Sequence, residues 1–324
     1  MKRIFVITSI LLLFFACKHQ EKEANSEKTF VNNLIASKAC ILYEQEMIVP
    51  EEYFFFKSID FPKFINTLRT KSLNKEITAF VPFSDIECND EDLQTKFTEE
   101  FNPAEFQNLL FEEEWALDTA QFIMKKKVNA YSLVRQFMRT SEYVGTIKTK
   151  SVVAKYDFSK TGYPTKSDKN FKLLANDVAY EVSLVNEENP EFLDGIQVKQ
   201  VAKTIIEKAI CGNVTSYSFA YRDTLLLRTL DEVKQSLGQE TICYNEEDAE
   251  GNETDTVCVE KDIDIKEITG LAFIEDWYLN DSTMEIVKDV KAIAPVRSYY
   301  HYTEDNSEPE LVKSIPFVMY LHHD

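Results

Sequence analysis

The sequence predicts an α+β protein made of two tandem copies of one helix-plus-strand module, set behind a lipoprotein signal peptide and a flexible tether. Three observations carry this: long stretches that repeat at fixed offsets, a switch from helical to strand periodicity within each copy, and an apolar leader that ends in a cysteine. The two tryptophans mark the repeat. EWALDTAQFIMKKKVNAYSLVR (114–135) aligns without a gap to DWYLNDSTMEIVKDVKAIAPVR (276–297). At a constant offset of 162, Trp115 falls on Trp277, Leu117 on Leu279, Lys126 on Lys288, Val134 on Val296 and Arg135 on Arg297. A second block aligns at an offset of 137: Tyr43 and Glu44 fall on Tyr180 and Glu181, Phe61 and Phe64 on Val198 and Val201, and ITAF (77–80) on VTSY (214–217).

Each copy reads as the same succession of elements. An extended segment comes first (41–49; 178–185). An amphipathic helix follows. In the first copy it is entered through Pro62 and carries Phe61, Phe64, Ile65, Leu68 and Leu73 on one face; in the second it carries Val198, Val201, Ile205, Ile206, Ala209 and Ile210 and stops at Gly212. A β-branched and aromatic strand is next (76–83; 213–221). A short capped helix follows, with Asn89 as the cap in one copy, and Thr229 with Glu232 three residues on in the other. Two strands carry the Trp block, the later one being SVVAKYDF (151–158) or SIPFVMYL (314–321). The offsets differ by 25, so the second copy holds an insertion between Gly238 and Trp277. Seven glycines in 324 residues argue against a tight-turned β-sandwich and favour helices with longer connections.

The leader has a positive start, Lys2-Arg3, and an apolar run from Ile4 to Ala16 that is too short for a permanent span. Ala16 directly before Cys17 resembles a lipobox in the relaxed form of Bacteroidota. Acylation of Cys17 is therefore expected, and two or more acyl chains make a stable anchor. The predicted organisation is a signal peptide at 1–16, lipidated Cys17 and tether over 17–30, a first module at 31–158, a linker at 159–177 and a second module at 178–324. The expected location is the outer membrane, lipid-anchored on its periplasmic face; the few acidic residues after Cys17, interrupted by Lys22, are a weak surface signal.

A formal net charge of −19 repels phosphate backbones and anionic headgroups, which excludes nucleic acid as a partner. The basic stretch at 147–172 reads as a solvated face. Beyond Cys17, Cys243 and Cys258 flank an acidic segment, and an exported chain is permitted a disulfide between them if the flanks pair as a hairpin. Cys40, Cys88 and Cys211 are expected as small buried side chains. His19, His301, His322 and His323 lack metal-ligand spacing, and there is no GxSxG, Walker or GxGxxG motif. No catalytic, cofactor-binding or metal-ligating set is assigned. Carboxylates at 246–255 read as a hairpin tip, and Trp115 and Trp277 as core residues rather than sugar platforms. Arg135 and Arg297 are a charged pair shared by both copies, expected in ion pairs or at an interface.

The second copy resembles the GldN family of gliding-motility proteins, called PorN in its porphyromonad form. The resemblance rests on a helix leading into GNVTSY (212–217), then LDEVKQSLG (230–238), a variable hairpin, and IKEITGLAFIEDWYLNDSTMEIVKDVKAIAPVR (265–297). Thr215, Tyr217, Val233, Leu237, Glu275, Asp276, Trp277, Tyr278, Ala294 and Pro295 carry it. It implies a non-enzymatic part of the type IX secretion and gliding machinery that assembles with envelope proteins beneath the outer membrane. Homo-oligomers are compatible with it, because repeated modules present repeated surfaces. The alternative is a surface lipoprotein that binds a glycan or a protein ligand.

Overall fold

The computed structural model describes residues 34–44, 59–99, 101–141, 145–184, 198–220, 224–247, 253–301 and 308–321. The predicted signal peptide, Cys17, the tether, His19, His322 and His323 lie outside them. The described residues fall into two compact units. The first takes those up to Tyr43, those of 59–174 and Trp277–Asp289; the second takes Glu44, those of 175–276 and those of 290–324. Among the described residues no helix is long and apolar enough to cross a membrane.

The first unit is built on a four-stranded sheet of β1 (Leu34–Glu44), β2 (Phe106–Asp118), β3 (Ile123–Ser141) and β4 (Gly145–Asp157), in that order. Helix α1 (Phe61–Leu73) starts at Asp60, whose carboxylate accepts the Lys63 N–H, with Pro62 in the first turn where no N–H is needed. Its apolar stripe of Phe61, Phe64, Ile65 and Leu68 is buried. Phe64 packs on Tyr131 of β3, and Ser72 hydrogen-bonds Tyr156 of β4 at 2.9 Å in the interior. Helix α2 (Asp90–Gln94) carries the expected cap as a full capping box between Asn89 and Asp92. A turn of 3₁₀ helix, Pro103–Glu105, leads into β2.

The second sheet has the order β5 (Phe171–Ser183), β10 (Ile268–Asn280), β11 (Ile286–His301), β13 (Val318–Tyr320), β6 (Ser216–Ala220) and β7 (Thr224–Leu227), with β12 (Glu310–Ser314) also on β11. Helix α3 (Val198–Ile210) buries Val201, Ala202, Ile205, Ile206 and Ala209. Helix α4 (Leu230–Ser236) has the Thr229–Glu232 capping box. Between α4 and β10, where the insertion was expected, β8 (Glu240–Glu247) and β9 (Glu253–Lys261) pair as a separate two-stranded hairpin.

Several expectations need correction. Strands dominate, despite the scarcity of glycine. The hairpins are long, so turns are few, and non-glycine residues occupy left-handed positions: Lys75 (φ 58°), Phe122 (φ 55°), Asp177 (φ 54°) and Met284 (φ 62°). The first strands begin at Leu34 and Phe171, earlier than the 41–49 and 178–185 segments, and β5 starts inside the 159–177 stretch. The strand at 76–83 contracts to the single residue Phe80, which bridges Glu87 and Lys155, because Pro82 and the left-handed Phe83 turn the chain at once. SIPFVMYL does not form one strand: β12 ends at Ser314 and β13 begins at Val318, with Pro316 between them and Pro295, which has no N–H, on the β11 side of the gap. Cys211 is exposed rather than buried, since it lies in the turn that ends α3; Cys40 and Cys88 are half-buried.

Lys75 occupies, after α1, the left-handed place that Gly212 occupies after α3. A side chain at that φ is strained, and a left-handed glycine just past a helix is the favoured stop. Lys75→Gly is expected to stabilise the protein by about 0.5 kcal/mol, net of the extra chain entropy of glycine. The exposed Lys75–Asp90 ion pair that it removes contributes little. Urea unfolding checks this; a destabilised variant would contradict it.

Candidate functional site

The chemistry-bearing residues of the first unit converge on the closed end of the β10–β11 hairpin, Trp277–Asp289. Along β2, Phe111, Glu113 and Trp115 alternate with more exposed residues and so share one face. Opposite, the register slips between Glu112 and Glu113 and leaves Asn129 of β3 unmatched, so the ladder carries a bulge here. Asn129 uses its side chain to donate to Glu114 at 2.8 Å.

Lys288 of β11 places its Nζ 2.5 Å from Glu113 Oε1, and both side chains have 0% exposure. The ammonium lies 3.4 Å from the centroid of the Phe111 ring and 4.5 Å from that of Trp277. The other carboxylate oxygen, Oε2, accepts the Trp115 indole N–H at 2.7 Å. Tyr43 stands edge-on to Trp277 at 4.8 Å, and burial pushes its hydroxyl up to about 12. The Tyr131 hydroxyl, itself raised by burial, donates to the Met284 carbonyl at 2.8 Å.

A second set of contacts straps the same hairpin end. Thr161 donates to Glu285 at 2.6 Å, Lys166 pairs with Asp289 at 2.6 Å, and Lys172 pairs with Asp281. Lys166 and Lys172, in the basic stretch read as a solvated face, are exposed while they make these pairs. Burial raises Glu285, outweighing the hydrogen bond from Thr161 and the charge of Lys127.

The predicted site residues fall in two groups. Trp115 and Trp277 are core residues, with exposures of 1% and 0%, so neither indole is open to a sugar. Arg135 pairs with Glu105 and Arg297 with Glu267 (2.6 Å); both glutamates end the 3₁₀ turns that precede β2 and β10. Arg297 also donates to the Ser236 carbonyl at 3.2 Å and stacks on Tyr299 at 4.0 Å. Its guanidinium fills the space beside Gly238, whose φ of +94° and lack of Cβ permit the approach. In the second unit Asp276 accepts the Asp177 N–H at 2.9 Å, and Lys291 bridges Asp177 (2.5 Å) and Asp276 (3.3 Å). Burial alone would lower Lys291, but these two carboxylates prevail and raise it. Tyr217 meets Tyr320 edge-on at 5.9 Å on paired strands, Pro295 is buried in β11, and Thr215 is exposed just before β6. Cys243 and Cys258 face each other on β8 and β9 and are bonded. His301 is exposed, and the side chains of 244–255 lie outside the described residues.

Sequence reasoning missed the Glu113–Lys288 pair, although a signal was present. Lys126 and Lys288 match at the 162 offset, and Glu113 and Glu275 stand at the same offset one residue before the aligned block. Charged residues retained within strands of apolar neighbours are candidates for buried partners.

The charged groups described above are engaged in joining strands, turns and hairpin ends. Among the described residues no group of three or more His, Cys, Asp or Glu is arranged to hold a metal ion. This is a strand-rich α+β protein whose polar residues lock its own elements together. Residues 170–320, just under half of the chain, match the family described as gliding motility associated protein GldN, and that part of the chain belongs to the GldN family. The family is associated with gliding motility and type IX secretion and is a structural component of that machinery. No curated protein matches the chain.

Because Glu285 has a raised folded pKa, it binds its proton more tightly in the folded chain than in the unfolded one. Its protonation favours folding below the usual value of 4.5, and that advantage is lost as pH rises through 4.5 toward the folded value. Glu285→Gln keeps an acceptor for Thr161 without the charge. It should match the parent in acid and exceed it in stability at neutral pH. Unfolding curves from about pH 3 to about pH 7 check this; a constant difference between the two proteins would contradict it.

Proposed function

We propose that this chain is a non-enzymatic structural lipoprotein of the type IX secretion and gliding machinery, held to the periplasmic face of the outer membrane through Cys17 and assembled with other envelope proteins there. The single observation that carries it is the GldN match over residues 170–320. The leader ending in Ala16-Cys17 supports the anchor.

We further propose that the first part of the chain is a diverged copy of the matched module. Equivalent elements support this at the two offsets. At 137, α1 corresponds to α3, the start of β1 to the start of β5, and Lys75 to Gly212. At 162, the 3₁₀ turns, β2 and β10, the left-handed Phe122 and Met284, and the Arg–Glu pairs Arg135–Glu105 and Arg297–Glu267 correspond. In this reading the first copy lies near 31–158, the second begins by Phe171 where β5 starts, the β8–β9 hairpin is an addition of the second copy, and the closed end of that copy's Trp hairpin is built into the first unit. Two modules of one shape offer repeated surfaces to partners, including further copies.

The test is chemical crosslinking of the full chain in outer membranes, followed by affinity capture. Components of the secretion and gliding machinery should be recovered with the parent protein. Cys17→Ser should move the chain to the soluble fraction and lose the lipid label. Capture with no such component, from a membrane-bound parent, would contradict the assignment.

A further inference from the structure

We propose that the Cys243–Cys258 bond is a site of thiol–disulfide exchange whose reduction opens the acidic β8–β9 hairpin and leaves the sheet behind it intact. The idea goes beyond the assembly role and does not depend on it. Four observations converge. First, β8 and β9 pair only with each other, as a two-stranded sheet, while every other strand among the described residues belongs to a larger one. A two-stranded hairpin without further support is marginally stable in water. Second, the two paired strands carry six carboxylates in their sequence, Glu240, Glu246, Glu247, Glu253, Asp255 and Glu260, against the one lysine Lys261, so pairing them concentrates like charge. Third, apart from the disulfide, the described ion pair across the hairpin is Lys261–Glu240, at 3.6 Å between exposed side chains, which contributes little. Fourth, Cys243 and Cys258 are directly opposite in the register and both are exposed, as is Val259 beside them. The cross-link therefore ties together two acidic strands that pair only with each other, and its sulfurs are open to attack.

The chemistry needs an external dithiol. One of its thiolates attacks an exposed sulfur; the Cys243–Cys258 bond breaks, a mixed disulfide forms, and the other cysteine leaves as a thiolate that takes a proton from water. The second thiolate of the dithiol then attacks the mixed disulfide, and the dithiol departs as a disulfide. Two electrons pass to the hairpin cysteines, and the dithiol is oxidised. The reduced segment is free of the cross-link that closes it, so the pairing of β8 with β9 is released.

The experiment treats the full chain with dithiothreitol in native buffer and reads two signals. Thiol labelling with mass analysis should gain two labels, at Cys243 and Cys258, without denaturant. Hydrogen exchange should quicken in 240–247 and 253–261, on the order of a hundredfold for loss of a closure of this length, with β10 and β11 unchanged. The double variant Cys243→Ser/Cys258→Ser should show the same local exchange without any reductant, which separates loss of the bond from any other effect of the thiol. Resistance of the bond to native reduction would overturn the proposal. So would unchanged exchange at 240–261 after reduction, or an acceleration that spreads through 268–301.

Discussion

A lysine and a glutamate with no exposure to water set the terms for the first unit. Removing either charge from solvent costs several kcal/mol, and a buried pair is tolerated only where geometry and further hydrogen bonds compensate. Here the compensation is specific. Lys288 lies 2.5 Å from Glu113, the remaining carboxylate oxygen takes the Trp115 N–H, and the faces of Phe111 and Trp277 stand close to the ammonium. None of these groups can shift alone. Moving the hairpin end along β2 would separate two charges in a low-dielectric interior, where attraction is strongest and an unpaired charge is most costly.

That constraint explains the surrounding arrangement. The hairpin end 277–289 must be held in one register, and Tyr131 and Thr161 hold it from β3 and the 161–172 segment, to which the exposed Lys172–Asp281 pair adds little. In the second unit the polar residues do comparable work at other joints. Arg297 ties β11 to the turn before β10 and to the end of α4, and Lys291 ties β11 to the Asp177 turn and Asp276. Side chains used in this way fix strands and turns against one another within each unit. The GldN family is associated with a secretion complex.

Much of this was legible in the sequence because it depends on local rules. The caps at Asn89 and Thr229, the stop at Gly212, the apolar stripes of α1 and α3 and the buried tryptophans all follow from residue type and spacing. The failures were also physical. A strand interrupted at Pro316 reads as one apolar run unless the partner strand's Pro295 is known to lie beside the gap. Scarce glycine suggested helices, yet Lys75, Phe122 and Met284 accept left-handed turns that packing holds in place. The Glu113–Lys288 pair joins residues 175 positions apart, so only the tertiary fold shows that they meet. A hint lay in charges that recur at one offset, Glu113 with Glu275 and Lys126 with Lys288.

The most direct measurement is a double-mutant cycle on that pair, using Glu113→Gln, Lys288→Met and the two combined, with stability read from urea unfolding. The amide oxygen introduced by Glu113→Gln still accepts the Trp115 N–H, so the cycle isolates the charge partnership. Each single change leaves one buried charge unmatched and should cost about 3–5 kcal/mol. The double change leaves none, so its loss should fall short of the sum of the singles by about 2 kcal/mol or more. Additive losses, with a coupling within about 0.5 kcal/mol of zero, would contradict the claim that this pair fixes the hairpin in place.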